Sequence, residues 1–281
     1  MKIGIRSTAY FEEVKDCASG MMRARRHGYD GVDFQNFTDT LLNSAARDFE
    51  TMLRYAKTMA EQNDLTIYQA HAPGRYPPQD ATDADRAERF ETMAKALYGC
   101  AVMECPYMVV HPVLPYGTKV NVNPNGVWEI NRDFFARLTE KAREYGVTLC
   151  YENMPFKVFP FSTPEFVRKM VEEIEDPHFR ACLDTGHAAL FGEPADAVRL
   201  LGKDYLHVLH VHDNDGQKDG HFIPYTGVID WSAFCDALRE IGYDGYLSLE
   251  CRVRGNYPPE LLEYYQIGLA KIARTLSKAA E

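Results

Sequence analysis

Short runs of β-branched and other apolar residues alternate with longer amphipathic segments along the whole chain. Eight of the short runs are predicted to be strands, at residues 2–7, 31–35, 65–71, 107–111, 147–153, 180–184, 206–212 and 245–250. Between them lie predicted helices, and in one of these Phe49, Met52, Leu53, Ala56 and Met59 recur on a single face. This alternation is typical of repeated strand–helix units that form a parallel sheet covered by helices.

The length of the chain narrows the choice of architecture. Its 281 residues are close to the usual size of a barrel of eight strand–helix units, which folds as one domain. We therefore predict an α/β fold, a single (β/α)8 TIM barrel spanning residues 1–281, with a C-terminal helix that begins after Pro258 and Pro259. An open, doubly wound sheet of eight strands is the alternative, because periodicity alone does not show closure.

Composition limits the partners of the protein. The chain is 46% hydrophobic and carries a formal net charge of -10, with Lys and Arg scattered along it. No basic stripe is therefore available to neutralise a phosphate backbone, which argues against nucleic acid. The sequence contains no run of about 18 apolar residues, which a membrane helix would need, and its first residues lack the pattern of a signal peptide. The seven cysteines form no CxxC pair. We expect a cytoplasmic protein with reduced, mostly buried thiols.

Ionisable residues follow the predicted strands at their C-terminal ends, where the active site of a parallel barrel is built. From strand three to strand eight and the loop after strand seven these residues are His71, His111, Glu152, Asp184, His187, His210, His212, Asp219, His221 and Glu250. Burying such groups costs hydration unless a partner replaces it, and a cation does so well. Imidazoles and carboxylates together suit Mn, Zn or Co, so we predict a divalent metal and no organic cofactor.

Each of these residues also has a structural interpretation. A histidine at a strand end often only forms hydrogen bonds, and the carboxylates could form salt bridges across the barrel mouth. His207 is an odd number of residues from His210, so strand alternation predicts that it points away from the site. His27 and His178 precede strands, at the opposite face, and are predicted to be surface histidines. His212 lies on the same side as His210 and could contact a substrate.

Five stretches carry a family resemblance: YENMP (151–155), CLDTGHA (182–188), HVHDNDG (210–216), HFIPYTGVIDW (221–231) and LSLE (247–250). The chain resembles the xylose isomerase-like barrel superfamily, which includes sugar and sugar-phosphate isomerases and epimerases, inosose dehydratase and endonuclease IV. Its ketose epimerase branch implies one metal ion held by Glu152, Asp184, His210 and Glu250.

For the same branch, the resemblance implies that Glu152 and Glu250 act as an acid/base pair. They would move a proton through a metal-bound enediolate of a sugar or sugar phosphate. It also implies that His187 contacts the carbohydrate. Arg252 is a candidate for binding the far end of the substrate, with His71 and His111, and His212 is a further candidate for substrate contact. Enzymes of this kind are often dimers or tetramers, so a homo-oligomer is compatible with the resemblance.

The alternative within the superfamily is a multinuclear zinc phosphodiesterase similar to endonuclease IV. The additional ligands of that enzyme match His71, His111, His187, Asp219 and His221. The residues after Glu152 read NMP, where the nuclease has a run that contains glycine, and those around His71 read HAP, which is the form found in the sugar enzymes. Together with the negative net charge, these departures favour the sugar branch and leave the phosphodiesterase as the second hypothesis.

Overall fold

Eight parallel strands form the centre of the molecule. The computed structural model describes residues 1–74, 80–117, 123–157, 159–251, 253 and 257–281. The strands are β1 (Ile3–Arg6), β2 (Gly31–Phe34), β3 (Thr66–His71), β4 (Tyr107–Val110), β5 (Thr148–Glu152), β6 (Phe179–Asp184), β7 (Leu206–His210) and β8 (Leu247–Leu249). Seven of the eight predicted runs contain the corresponding strand, which is shorter by one or two residues at one or both ends, and β6 begins one residue before its predicted run.

The sheet closes on itself. Its order is β7-β6-β5-β4-β3-β2-β1-β8, and every registered pair is parallel. The two ends of this order meet through Val211, whose N–H donates to the carbonyl of Ser248 at 2.7 Å and whose carbonyl accepts from the N–H of Glu250 at 3.0 Å. The fold is therefore the predicted (β/α)8 TIM barrel, and the open sheet is excluded.

Helices surround the strands and cover them. They are α1 (Cys17–His27), α2 (Asp39–Leu42), α3 (Ala46–Gln62), α4 (Asp83–Met103), α5 (Pro124–Tyr145), α6 (Pro164–Ile174), α7 (Thr185–Ala188), α8 (Pro194–Tyr205), α9 (Trp231–Ile241) and α10 (Pro259–Ala279). The predicted apolar stripe of α3 faces inward, with Phe49, Leu53 and Ala56 buried. Among the described residues, no helix is long and apolar enough to cross a membrane.

Two register shifts in the sheet re-aim side chains next to the barrel mouth. Between β2 and β3, Val32 pairs with Ile67 but Asp33 pairs with Gln69. A similar shift between β6 and β7 follows Ala181. Irregularities of this kind turn the next side chain relative to a regular ladder. The first shift precedes Asp33, whose side chain is fully buried in the barrel.

The histidines predicted to lie away from the site have different surroundings. The prediction of a surface position for His27 was wrong, because its side chain is buried between Tyr10, whose hydroxyl is 2.8 Å from Nδ1, and Glu263 of α10. His178 is half-buried, with Nδ1 2.8 Å from the carbonyl oxygen of Val147. The seven cysteines are free and buried.

Candidate active site

A cavity of about 520 Å³ opens at the carboxyl ends of the strands. It is lined by most of the residues that the sequence placed at the strand ends, namely His71, His111, Glu152, His187, Asp219, His221 and Glu250. Asp184, His210 and His212 are fully buried beside it. Arg252 lies outside the described residues.

Four strand-end side chains form the centre of the site. Glu152 ends β5, Asp184 ends β6, His210 ends β7 and Glu250 follows β8, and one ligand atom from each lies within 4.8 Å of the others. The Nδ1 atom of His210 is 2.7 Å from Oε1 of Glu152 and 3.5 Å from Oε2 of Glu250. The parallel register brings these groups together. Glu152 of β5 is paired with Cys182 of β6, two residues before Asp184, and Asp184 is paired with His210 of β7.

In this central set, neighbouring charges shift the pKa values in the direction opposite to that expected from burial. Burial alone would raise the pKa of Glu152, but the imidazoles of His210 and His111 outweigh it and hold the pKa well below its ordinary value. The pKa of Glu250 is lowered too, because His210 and His221 outweigh its burial. Burial would lower the pKa of His210, yet the carboxylates of Glu250 and Glu152 raise it well above normal. The site therefore stabilises carboxylate anions next to positive charge.

A second group of possible ligands adjoins Glu152. The Nε2 atoms of His71 and His111 face each other at 3.0 Å, and Nε2 of His111 is 2.8 Å from Oε2 of Glu152. That approach does not have hydrogen-bond geometry, so Oε2 is a buried oxygen without a hydrogen-bond partner among the described residues. The pKa of His71 is raised because Glu152 outweighs its burial, and burial lowers the pKa of His111. Nitrogen and oxygen atoms that converge in this way are typical of ligands around one cation.

A third group lies on the other side of the cavity, around Asp219. Its Oδ2 is 3.2 Å from Nε2 of His221 and 3.6 Å from Nε2 of His187, and its Oδ1 is 3.7 Å from Nε2 of His212. The Nε2 atom of His212 also lies 3.0 Å from Oδ2 of Asp184, which connects this group to the central set. Burial would lower the pKa of His187, but Asp184 and Asp219 raise it to about 10.

The possible ligand atoms of all three groups suit a divalent cation. Oε2 of Glu152 and Oδ1 of Asp219 are buried without a hydrogen-bond partner in the described part of the chain, and each lies within 4 Å of imidazole nitrogens. Leaving such oxygens unpaired costs about 1–3 kcal/mol each, which a bound cation would offset. Mixed imidazole and carboxylate ligands suit Zn, Mn or Co better than Mg or Ca.

Three more residues belong to the site; the sequence predicted Gln35 only as a plausible wall of the substrate pocket and did not indicate Arg6 or Asp33. Arg6 ends β1 and lines the cavity, with Nη1 3.9 Å from Oε1 of Glu250. Gln35 follows β2 and donates from Nε2 to Oε1 of Glu250 at 2.9 Å. Asp33, in β2, accepts from the same amide nitrogen and lies 3.1 Å from Nε2 of His210. A charged residue inside an apolar predicted strand was the available signal for Asp33.

Comparison with known proteins agrees with this architecture. The chain is 29% identical over 284 residues to an uncharacterized protein from Methanocaldococcus jannaschii, with 97% of this chain and 92% of that protein covered. It is 24% identical over 207 residues to D-psicose 3-epimerase from Ruminiclostridium cellulolyticum, covering 70% and 67% of the two chains.

Solved structures show the same fold. D-psicose 3-epimerase from Clostridium cellulolyticum H10, crystallised with D-tagatose, superposes with a TM-score of 0.82 at 19% identity, covering 98% of this chain and 99% of that one. The IolI protein with a bound zinc atom superposes with a TM-score of 0.77 at 17% identity over 100% and 98% of the chains. A family model matches residues 22–273. The chain belongs to the xylose isomerase-like TIM barrel family.

Proposed function

We propose that the protein is a divalent-metal-dependent isomerase or epimerase of a sugar or sugar phosphate. The observation that carries this proposal is that Glu152 and Glu250 line the same cavity and converge on one ring nitrogen of His210, at 2.7 Å and 3.5 Å. Two carboxylates that converge on one small volume can reach opposite faces of a bound sugar carbon. Similarity to D-psicose 3-epimerase and to inosose isomerase from Bacillus subtilis supports the same reaction class.

The central set would hold the cation through Glu152, Asp184, His210 and Glu250, and zinc in the similar IolI structure supports a divalent ion. A bound divalent ion supplies Lewis acidity, which makes the C–H bond beside a sugar carbonyl more acidic. His187 lines the cavity and is proposed to contact a hydroxyl group of the substrate. His212 is fully buried against Asp184, so its contact with the substrate stays a prediction from the sequence.

Proton transfer is the work of the protein's own carboxylates. One of Glu152 and Glu250 takes the proton from the carbon next to the carbonyl, which leaves an enediolate. For epimerisation the opposite face of that carbon is protonated by way of the other carboxylate, which takes a proton from water and passes it on, while the first carboxyl returns its proton to the solvent. The low pKa of each carboxyl keeps a base available at neutral pH. The cavity of about 520 Å³ is large enough for a monosaccharide.

The proposal is tested by incubating the protein, loaded with Mn, Co or Zn, with ketoses and ketose phosphates in D₂O. Deuterium incorporation at the carbon beside the carbonyl, followed by NMR, detects proton transfer whatever the final product. Glu152→Gln and Glu250→Gln should abolish the exchange, whereas the surface variant Glu240→Gln should not change it. Absence of exchange with every ketose in the panel would overturn the proposal.

A multinuclear phosphodiesterase is the second candidate, and a specific observation favours it. The groups around His71 and around Asp219 extend the central set into two further clusters of converging nitrogen and oxygen atoms. With several zinc ions, such a site could generate hydroxide and stabilise the charge of a phosphoryl transition state.

Metal analysis and DNA cleavage separate the two candidates. Two or three zinc ions per chain and nicking of abasic-site DNA are expected for the phosphodiesterase. About one ion per chain, with substantial sugar activity retained in His221→Ala, is expected for the mononuclear sugar enzyme. Near-complete loss of sugar activity in His221→Ala would contradict the single-ion version.

A further inference from the structure

A buried carboxylate on β2 connects the parts of the central site. Asp33 is fully buried, and its Oδ2 atom lies 3.1 Å from Nε2 of His210 and 2.9 Å from the amide nitrogen of Gln35. The second hydrogen of that amide reaches Oε1 of Glu250, also at 2.9 Å. One carboxylate oxygen of Asp33 is thus in contact with His210, which lies against both paired glutamates, and with Gln35, which binds Glu250.

The contact with His210 has a consequence for the imidazole ring. A carboxylate oxygen accepts hydrogen bonds and does not donate them, so Nε2 must carry a hydrogen when it faces Asp33. In a neutral ring, Nδ1 is then the atom with the free lone pair. This Nδ1 is the atom that points between Glu152 and Glu250, at 2.7 Å and 3.5 Å. A carboxylate on the far nitrogen is the usual arrangement that orients a metal-binding histidine.

The fold places Asp33 for this role by an irregularity. The register of β2 against β3 shifts between Val32 and Asp33, so that Asp33 pairs with Gln69 and the intervening Tyr68 is skipped. Register shifts of this kind occur next to active sites, where they re-aim side chains. No Lys or Arg forms an ion pair with Asp33 among the described residues, and its only ionic contact there is with His210.

We infer that Asp33 is a positioning residue, which fixes His210 with Nε2 protonated and Nδ1 directed at the cation, and which holds Glu250 through Gln35. This inference rests on the proposed function for the part that concerns Glu250, and on the metal site alone for the part that concerns His210. Asp33 itself does not contact the substrate cavity.

The first test is the tautomer of His210 in the zinc-loaded protein, labelled with ¹⁵N in its histidines. Long-range ¹H–¹⁵N spectra should show His210 with a hydrogen on Nε2 and zinc on Nδ1. The opposite assignment, with Nδ1 protonated and Nε2 bound to zinc, would overturn the inference without any variant. Assignment of the signal is made with His210→Gln.

The second test is zinc affinity, measured by competition with a chelator. Asp33→Ala should bind zinc about 10–100-fold more weakly, and Asp33→Asn, which keeps an acceptor but no charge, should lose less. Asp80→Asn is the matched control, since Asp80 is a buried carboxylate at the same end of the barrel that pairs with Arg89. Zinc affinity of folded Asp33→Ala within about twofold of the wild type would contradict the inference. If Asp33→Ala does not fold, the tautomer and the Asp33→Asn affinity decide the question.

The third test concerns Glu250. Gln35→Met removes the amide but approximately preserves its volume, so kcat should fall for any ketose that the protein converts, zinc affinity should fall less than in Asp33→Ala, and the His210 tautomer should stay unchanged. An unchanged kcat would remove the Gln35 branch of the inference. If no ketose is converted, the proposed function fails, yet the tautomer and the affinities still test Asp33.

Discussion

Asp213 anchors the long loop that carries Asp219 and His221 over the cavity. Its carboxylate accepts hydrogen bonds from the backbone N–H groups of Asn214 (2.9 Å), Gly227 (3.0 Å) and Ile229 (3.2 Å) and from Nε1–H of Trp231 (3.0 Å). The side chain is fully buried, so water cannot replace these contacts. We predict that Asp213→Asn destabilises the protein strongly.

The size of the effect follows from the geometry. Each oxygen of Asp213 accepts two of the hydrogen bonds, and in the asparagine variant one oxygen becomes an NH₂ group that faces two donors. A hydrogen bond to a charged group contributes about 1.5–3 kcal/mol, so losing two predicts a decrease of about 3–6 kcal/mol. That is a large fraction of the roughly 5–15 kcal/mol by which folded proteins are stable.

The assay is urea unfolding followed by far-UV circular dichroism and extrapolated linearly to water. Asp215→Asn is the control, because Asp215 is exposed in the same loop and, within the described part of the chain, accepts hydrogen bonds from the N–H groups of Gln217 and Lys218 through one carboxylate oxygen. Its free energy of unfolding should match the wild type. Faster exchange of the Trp231 indole hydrogen in Asp213→Asn would identify local detachment of the loop. A loss of less than about 1 kcal/mol with unchanged indole exchange would refute the reasoning.

The remaining predictions concern the cation site and the core. A Cβ at Gly186 would lie 1.9 Å from Cε1 of His212, so Gly186→Ala should weaken zinc binding in a chelator titration, whereas Gly192→Ala, in open space, should not. Neighbouring carboxylates raise the pKa of His187 to about 10, above the value of about 6.5 expected in the unfolded chain. In the metal-free protein, protonation of His187 therefore contributes to the free energy of unfolding. This contribution is fully present below a pH of about 6.5 and is lost as the pH rises towards 10. Zinc binding at this ring at neutral pH should therefore release a proton, which calorimetry in buffers of different ionisation enthalpy detects. Phe135→Ala in the core should lower the free energy of unfolding by about 3–5 kcal/mol in urea.

The strands and their order along the chain were predictable because each is a short apolar run with a polar end. Glu152 and Asp184 illustrate why the site was visible as well, since each is the final residue of its strand and a parallel barrel collects these ends at one face. Closure through Val211 was not predictable, because it depends on backbone hydrogen bonds between segments far apart in sequence.

What the sequence did not reveal depends on contacts between distant segments. Asp33 was predicted only as part of a strand, because its approach to His210 requires both barrel closure and the register shift against β3. The surface prediction for His27 was wrong for a similar reason. Its burial comes from Tyr10 and from Glu263 near the other end of the chain, which no local pattern indicates.

The two carboxylate oxygens of Glu152 have different surroundings, and what compensates the second oxygen bears on the choice between a sugar enzyme and a phosphodiesterase. Oε1 faces His210, whereas Oε2 faces His111 at 2.8 Å and is buried without a hydrogen-bond partner in the described structure. Glu152 would help to hold a cation at the central set, and its Oε2 would still need a partner of its own. Burial lowers the pKa of His111, so this ring is neutral at neutral pH and its Nε2 has either a hydrogen or a lone pair.

If Nε2 of His111 has the hydrogen, a small rotation of the ring lets it donate to Oε2 of Glu152, and one ion is enough. If it has the lone pair, two acceptors face each other, and a positive charge would offset the repulsion, supplied either by a protonated His71, whose Nε2 is 3.6 Å from Oε2, or by a second metal ion. The Nε2 atom of His71 lies 3.0 Å from that of His111 and influences which state forms. A hydrogen on Nε2 of His111 can be donated either to His71 or to Glu152, but not fully to both. The number of ions in the site therefore depends on the protonation of the His71–His111 pair, and mutation of His111 should affect a multinuclear site more severely than a mononuclear one.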